Sequence, residues 1–506
     1  MINQIKKYYK KNKTNLRYFI FLFILTISLK FFTLNLPYHW DENIYTFWAK
    51  WFSINGFLST PPNYDGHVPL FLWILALNYR VFGESTFISH LIVVIFSSIG
   101  LYFVYLIGKF LYNEKVGVLA SIITLFSPIY FSISGQTLLD IPLTTFTLAT
   151  LYFALKKNTL FYLISACLLI LTKEPGLLVV LALTIYQFII RKNFKEKIKY
   201  VVVFLLPILA LFGWNLYYWV QTSNFGYFGS GYVSFIVKYY PGILMLLKKC
   251  AAVLYQLFVW NYHWVLTIII IYSIKFPINK KLMPLFSIML IFIIFFSFGP
   301  FLPRYLLPVY PLFFIICAYY LASFKKKTWV IFSIIILLFI SSYRYNYGIK
   351  GFFQDPVFHS TIFYPKIITS VANGELSLDY MDIVNIEKNT LDFIFDNHKN
   401  SKVTAAIPLI CPWNVNILDV GYRQWNENNV TILLYPVDSL TQWLKDNRSN
   451  TQIDSEDLTR NDLFVIESYS PQYEEIENKF SEEISKAQII KKFEINDKFA
   501  IIYKKS

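Results

Sequence analysis

Pro37-Tyr-His-Trp-Asp-Glu-Asn-Ile-Tyr45 follows directly on the first long apolar run of the chain, and its adjacent acids, Asp41 and Glu42, stand at the edge of that run. Carboxylates at a hydrocarbon boundary are costly unless they are solvated, paired or used. The stretch therefore points to an active site at a membrane edge. Composition supports the membrane half of that reading. Apolar residues make up 56% of the chain, aromatic residues 20%, and the mean hydropathy is +0.46, far from an ordinary soluble domain.

Apolar stretches measured against the roughly 20 residues that span a bilayer predict helices near 17–36, 86–108, 116–133, 140–155, 158–172, 176–190, 200–220, 251–274, 282–299, 305–324 and 328–343. The expected fold class is a polytopic α-helical membrane protein of about 11 transmembrane helices, followed by a soluble α/β domain. The net charge of +15 does not imply a nucleic-acid partner, because Lys and Arg fall in short clusters between apolar segments, where they orient a membrane protein.

The segment 68–82 decides the orientation, since it is apolar but interrupted by Asn78 and Arg80. If it lies along the outer surface, the inside receives the N-terminal group from Lys6 to Arg17, Lys109 with Lys115, Lys156 with Lys157, the Arg191 to Lys199 group, Lys275 with Lys280 and Lys281, and Lys325 to Lys327. If it crosses, every later cluster flips outward, against the positive-inside rule. The expectation is a non-crossing segment, a cytoplasmic N-terminus and an extracytoplasmic C-terminal domain in a multi-pass protein of the cell membrane. Asp41, Glu42, His67, Asp140, Lys173, Glu174 and Arg304 then share the outer face.

The first run is long and lacks a small-residue cleavage site, which reads as a signal anchor. Cys167, Cys250, Cys317 and Cys411 show no paired spacing, so neither a disulfide framework nor a zinc knuckle is implied. The membrane part, 1–345 with its outer loop 37–85, gives way to 346–506, where apolar runs shrink to strand length at Val403 to Ile407, Val430 to Leu434, Leu463 to Glu467 and Phe499 to Tyr503. Helical stretches are expected near 438–446 and 473–486. Trp413, Trp425 and Trp443 of this domain are either core or platforms on which a sugar stacks.

Each outer-face group has a structural and a chemical reading. Asp41 is placed to cap the helix that follows, or to serve as the general base toward an acceptor hydroxyl with Glu42 orienting base or acceptor. Asp140, ahead of Pro142, is an N-cap or a second functional acid. Lys173, in Lys173-Glu174-Pro175, is positioned to hold phosphate as a point charge. Arg304, among Pro303, Pro308 and Pro311, either snorkels to headgroups or binds a pair of phosphate oxygens. His67 and His263, with Asp65, are candidate substrate or metal contacts; no cofactor is fixed, and a divalent metal stays open. One base and a cationic cradle suit a single displacement at an anomeric carbon with departure of a lipid phosphate, rather than the two-carboxylate arrangement of many glycosidases.

These residues resemble the polytopic GT-C glycosyltransferases, in the protein O-mannosyltransferase and lipid A aminoarabinose transferase group. The resemblance covers about 15–345 and rests on Asp41-Glu42 with Tyr45, Gly66-His-Val-Pro-Leu70, Phe82-Gly83-Glu84, Leu139-Asp-Ile-Pro-Leu143, Thr172-Lys-Glu-Pro175 and Arg304-Tyr-Leu-Leu-Pro308. It implies a GT-C-like fold, Asp41 as base, Asp140 as a second outer-face acid, Lys173 and Arg304 on the lipid phosphate, polyprenyl-phosphate sugar donors and inversion. The implied partners are that donor, a glycan, lipid or protein acceptor, and membrane lipids, with no nucleic acid. Val68 replaces the first proline of the family's His-Pro-Pro-Leu, and Gly66, with Asp65 before it, stands where some relatives carry a metal-holding acid, so no metal site is carried over. The rival class is a secondary transporter or lipid-linked-sugar flippase. Such proteins place coupling charges near the bilayer midplane, whereas here Lys30 is the main ionisable group within a helix and is expected to snorkel outward.

Overall fold

The computed structural model describes residues 2–36, 38, 41–61, 64, 66–223, 243–260, 262–273, 280–298, 302–322, 328–347, 380–398, 401–405, 424–427, 430–434, 463–468, 473, 477–478, 481–495 and 498–504. The chain divides into two compact units. One comprises Met1–Leu36 and Trp48–Leu378, the other Pro37–Phe47 and Asp379–Ser506.

Among the described residues the regular structure of the first unit is helical. Helix α1 (Ile2–Lys30) is followed by α2 (Asp41–Asn55), which runs from one unit into the other, then α3 (Leu70–Phe82), α4 (Thr86–Leu111), α5 (Glu114–Leu125) and α6 (Pro128–Ile133). Next come α7 (Asp140–Leu155), α8 (Thr159–Thr172), α9 (Gly176–Ile190), α10 (Phe194–Leu205) and α11 (Ile208–Thr222). The series closes with α12 (Ile243–Phe258), α13 (His263–Ser273), α14 (Met283–Phe298), α15 (Tyr310–Ala322) and α16 (Thr328–Tyr347).

Among the described residues four helical stretches are long and apolar enough to cross a membrane: Thr14–Thr33, Thr86–Leu111, Phe194–Thr222 and Lys280–Phe298. The pair Leu246–Phe258 and His263–Ser273, bent by 86°, makes a fifth if counted as one span. The remaining apolar helices are shorter. The run at 116–133 divides where Ser127 turns extended before Pro128, a residue that disfavours helical backbone at its predecessor. Pro207, which has no N–H to give the preceding turn, separates α10 from α11.

Helix packing sets the site. Helix α4 packs against α1, α5 and α7, and α7 against α8 and α9. Because α7 and α8 are of similar length and joined by the short turn at 156–158, in which Lys157 takes a positive φ of 56°, the end of α8 returns beside the start of α7. Lys30 does not snorkel. It is 1% exposed, with Nζ 4.0 Å from the centre of the Phe131 ring, so a cation–π contact replaces the outward reach expected of it.

The second unit contains a six-stranded mixed sheet. In the order of the sheet its strands are β2 (Gln424–Glu427), β3 (Val430–Leu434), β1 (Lys402–Ala405), β4 (Leu463–Glu467), β6 (Lys498–Lys504) and β5 (Gln488–Ile495). Strand β1 is parallel to β3 and β4, and the other pairings are antiparallel. Helix α17 (Tyr380–Asn397) covers one face with Ile386, Leu391 and Ile394 against Val403, Leu463, Val465, Ala500 and Ile502. A short helix, α18 (Ser481–Lys486), precedes β5. The stretch 438–446, read as helical, and Trp413 and Trp443 lie outside the described residues.

Candidate active site

Asp140 is the first residue of α7, with Leu139 at the cap position and no side-chain capping bond. Its carboxylate is turned to other work. Lys173, just past the end of α8, donates from Nζ to Asp140 Oδ1 at 2.8 Å, and Arg304 brings Nε to 3.9 Å from Oδ2. Arg304 sits in a short 3-10 turn, Pro303–Leu306, that contacts α6 and precedes α15. The next residue, Tyr305, lies under both cations, its ring centre 4.9 Å from Lys173 Nζ and 5.7 Å from Arg304 Cζ. Asp140, Arg304 and Lys173 are 1%, 5% and 8% exposed. Two cations thus approach one carboxylate in a buried setting. Charges in such a place are conspicuous, because desolvating them costs several kcal/mol each.

A second polar group adjoins the first through the chain itself. Glu174 Oε1 accepts from His67, whose Nδ1 lies 2.9 Å away, and from the Val68 N–H at 3.2 Å. Burial alone raises a carboxyl pKa; here the charge and hydrogen bond of His67, with the Val68 N–H, outweigh it and hold Glu174 below the usual range. The segment carrying His67 is clasped from α11. Trp214 Nε1 donates to the Gly66 carbonyl at 3.3 Å, and the Tyr218 hydroxyl donates to the Tyr64 carbonyl at 2.7 Å. The Tyr64 hydroxyl donates to the His67 carbonyl, and Gly66 turns the backbone with φ of 83°. Residues without regular structure thus have their carbonyls satisfied by aromatic side chains.

The sequence-derived residues therefore separate into groups. His67, Asp140, Lys173, Glu174 and Arg304 belong to the first unit, the last four gathered around the α8–α9 joint and α7. Asp41 and Glu42 open α2 within the second unit, Asp41 partly exposed and Glu42 buried, with the Thr46 hydroxyl donating to the Glu42 carbonyl. His263 stands apart in an aromatic surround of Tyr310, Phe313 and Phe314, its Nδ1 3.0 Å from the Leu257 carbonyl. Asp65 lies outside the described residues. Among the described residues no group of three or more His, Cys, Asp or Glu is arranged to hold a metal. Sequence reading missed the roles of Glu174, Tyr305, Trp214 and Tyr218. Glu174 had a signal, as an acid directly beside a candidate lysine at the expected outer face, and Tyr305 one as the residue after Arg304 in its motif; Trp214 and Tyr218, within an apolar helix, had none.

Residues 66–219 match the family model described as dolichyl-phosphate-mannose-protein mannosyltransferase. That segment contains His67, Asp140, Lys173 and Glu174, and it extends through both aromatic donors of α11; Asp41 and Arg304 fall outside it. The recognition drawn from the motifs is thus supported by the family match over this stretch. In fold the chain is similar to ArnT from Cupriavidus metallidurans in the apo state, with a TM-score of 0.60 at 12% identity over 96% of this chain and 98% of that one. ArnT of the same organism bound to undecaprenyl phosphate aligns with a TM-score of 0.58 at 13% identity, over the same shares. The fold is accordingly ArnT-like. A curated protein of Aquifex aeolicus (strain VF5), described as uncharacterized, is 26% identical over 334 residues, which is 61% of this chain and 65% of that protein's length.

Proposed function

We propose that the protein is an inverting glycosyltransferase that moves a sugar from a polyprenyl-phosphate donor to an acceptor hydroxyl on the outer face of the membrane. The observation that carries this reading is the buried Asp140–Lys173–Arg304 cluster, in which Lys173 and Arg304 approach one carboxylate; Asp140 and Lys173 lie inside the segment that matches the mannosyltransferase family model, and the fold is similar to that of ArnT. An undecaprenyl phosphate ligand in ArnT supports a polyprenyl phosphate as the leaving group here.

In the proposed reaction the acceptor oxygen attacks the anomeric carbon, and the bond from that carbon to the phosphate oxygen breaks on the opposite side. Asp41 takes the acceptor's proton, with Glu42 orienting base or acceptor. The departing polyprenyl phosphate carries the electron pair away and gains negative charge, which Lys173 and Arg304 meet. Asp140 holds both cations in place before donor arrives, so that little reorganisation is needed at the moment of bond breaking. The catalytic part is assigned to 1–345 and the appended domain to 346–506, outside the membrane and opposite a cytoplasmic N-terminus. The excess of Lys and Arg in the alternate loops supports that orientation.

The testing experiment is release of polyprenyl phosphate from a panel of polyprenyl-phosphate sugars by the purified protein in lipid, with Asp41→Asn as control. Release that depends on Asp41 is expected; no release across the panel, with folded protein and a broad acceptor extract present, overturns the reading in favour of transport or flipping.

A further inference from the structure

The Lys173-Glu174 dipeptide serves two partners in opposite directions. Lys173 has extended backbone, φ −160° and ψ 144°, and neighbouring side chains on extended backbone diverge. One reaches Asp140 at the start of α7; the other reaches His67 and Val68, which are more than a hundred residues away in sequence. The joint that carries the pair is braced. Pro175 fixes φ at the entry to α9, and Gly176 lies so close to α8 that a Cβ there would stand 2.7 Å from the Leu169 carbonyl oxygen.

The bonds at Glu174 are specific in what they set. A single oxygen, Oε1, receives both the imidazole Nδ1 and the next residue's backbone N–H. An imidazole bonded through Nδ1 to a carboxylate has that nitrogen protonated and its ring plane fixed. The backbone bond to Val68 holds the peptide on which the ring is mounted. Glu174 is 5% exposed, and a carboxylate in that setting is an expensive way to secure a loop whose carbonyls Trp214, Tyr218 and Tyr64 already hold.

We propose that Glu174 is a positioning residue of the transfer site, acting through His67: it fixes the orientation of that imidazole and ties it, across one peptide bond, to the cationic cluster at Lys173. The proposal rests on the glycosyl-transfer reading above. It assigns to Glu174 no contact with substrate; its effect passes through the ring it holds.

A double-mutant cycle on the full chain in lipid tests it. The variants are Glu174→Gln, Glu174→Asp, His67→Ala and the Glu174→Gln, His67→Ala double, each assayed for kcat and KM with the polyprenyl-phosphate sugar that the unaltered protein uses, for binding of undecaprenyl phosphate, and for thermal midpoint. Misplacing a working group by about 1 Å costs on the order of 100-fold. Glu174→Gln is therefore expected to lower kcat/KM by about 10- to 100-fold with the midpoint kept, and Glu174→Asp to recover part of the loss. In the His67→Ala background the same Glu174→Gln change is expected to cost less than about 3-fold, the non-additivity of residues that act through one another. Equal losses in both backgrounds, or full activity in Glu174→Gln, overturns the proposal. An unaltered protein that neither releases polyprenyl phosphate nor binds undecaprenyl phosphate overturns the transfer reading itself, and the role of Glu174 with it.

Discussion

Lys173 and Asp140 are joined at 2.8 Å across the mouth of the α7–α8 pair, and Arg304 approaches the same carboxylate from a separate turn of the chain. Removing one member of a buried charge set leaves the others uncompensated. Lys173→Met is therefore expected to lower both thermal midpoint and kcat/KM, the latter by about 100-fold, the scale of losing one stabilising donor in a transition state. Adding Asp140→Asn to it should restore the midpoint but not the rate. Recovery of both by the double change would make the cluster purely structural.

Arg304→Ala is expected to raise the donor KM as well as lower kcat, because the guanidinium is assigned to a group present in both donor and leaving phosphate. The measurement is steady-state kinetics against donor concentration. An unchanged KM would remove Arg304 from phosphate binding.

Asp41→Asn retains the shape of the first residue of α2 and removes the base. Transfer is expected to fall by about 10²- to 10⁴-fold, the span of general base contributions, while undecaprenyl phosphate binding stays within about twofold of the unaltered protein. The contrast between rate and binding is what distinguishes this residue from Lys173 and Arg304.

In the second unit Glu387 and Glu467 are 2% and 1% exposed. Burial, and for Glu387 also the charge of Glu467, pushes both carboxyls well above their usual range. The folded state then holds protons that the unfolded chain releases above about pH 4.5. Their contribution to stability is complete below that pH and is lost as pH rises through the folded-state values. Amides of β4, Leu463–Glu467, should exchange hydrogen with a larger opening free energy at pH 5 than at pH 8 after correction for intrinsic rates. Glu467→Gln should flatten that dependence.

The orientation is open to a direct check. In a background lacking the four native cysteines, a cysteine at Thr60 is expected to react with an impermeant thiol reagent from outside, and one at Asn113, in the α4–α5 turn, is not. Both positions are exposed in the folded chain, so access is decided by the membrane.

What was legible in the sequence follows from how far apart the interacting residues lie. Apolar runs are local facts, and α7, α8 and α9 fall within a residue of their expected limits, whereas the helices expected at 116–133 and 200–220 run across Pro128 and Pro207, where the chain in fact breaks. Asp140, Lys173 and Arg304 were visible as charges in apolar surroundings, yet their convergence on one carboxylate depends on packing. The Glu174 bond to His67 spans 107 residues, and the Trp214 bond to Gly66 spans 148. No periodicity reports such pairs. Strands β2 and β5 escaped for a different reason: both are edge strands, and the polar Gln424–Glu427 and the largely exposed Gln488–Ile495 carry little of the apolar pattern by which inner strands are recognised. Lys30 misled through its length, since a side chain able to reach an interface is equally able to lie on Phe131.

The extended backbone at Lys173 makes the α8–α9 joint a matter of counting. With Thr172 ending one helix and Gly176 beginning the next, only three residues intervene, one extended and two in a turn, and within them Lys173 faces Asp140 while Glu174 faces His67. Exchanging one side chain for another perturbs one partner. Inserting or deleting a single residue changes the spacing of the whole joint and so displaces both side chains from their partners at once, a disturbance that no single substitution within it produces.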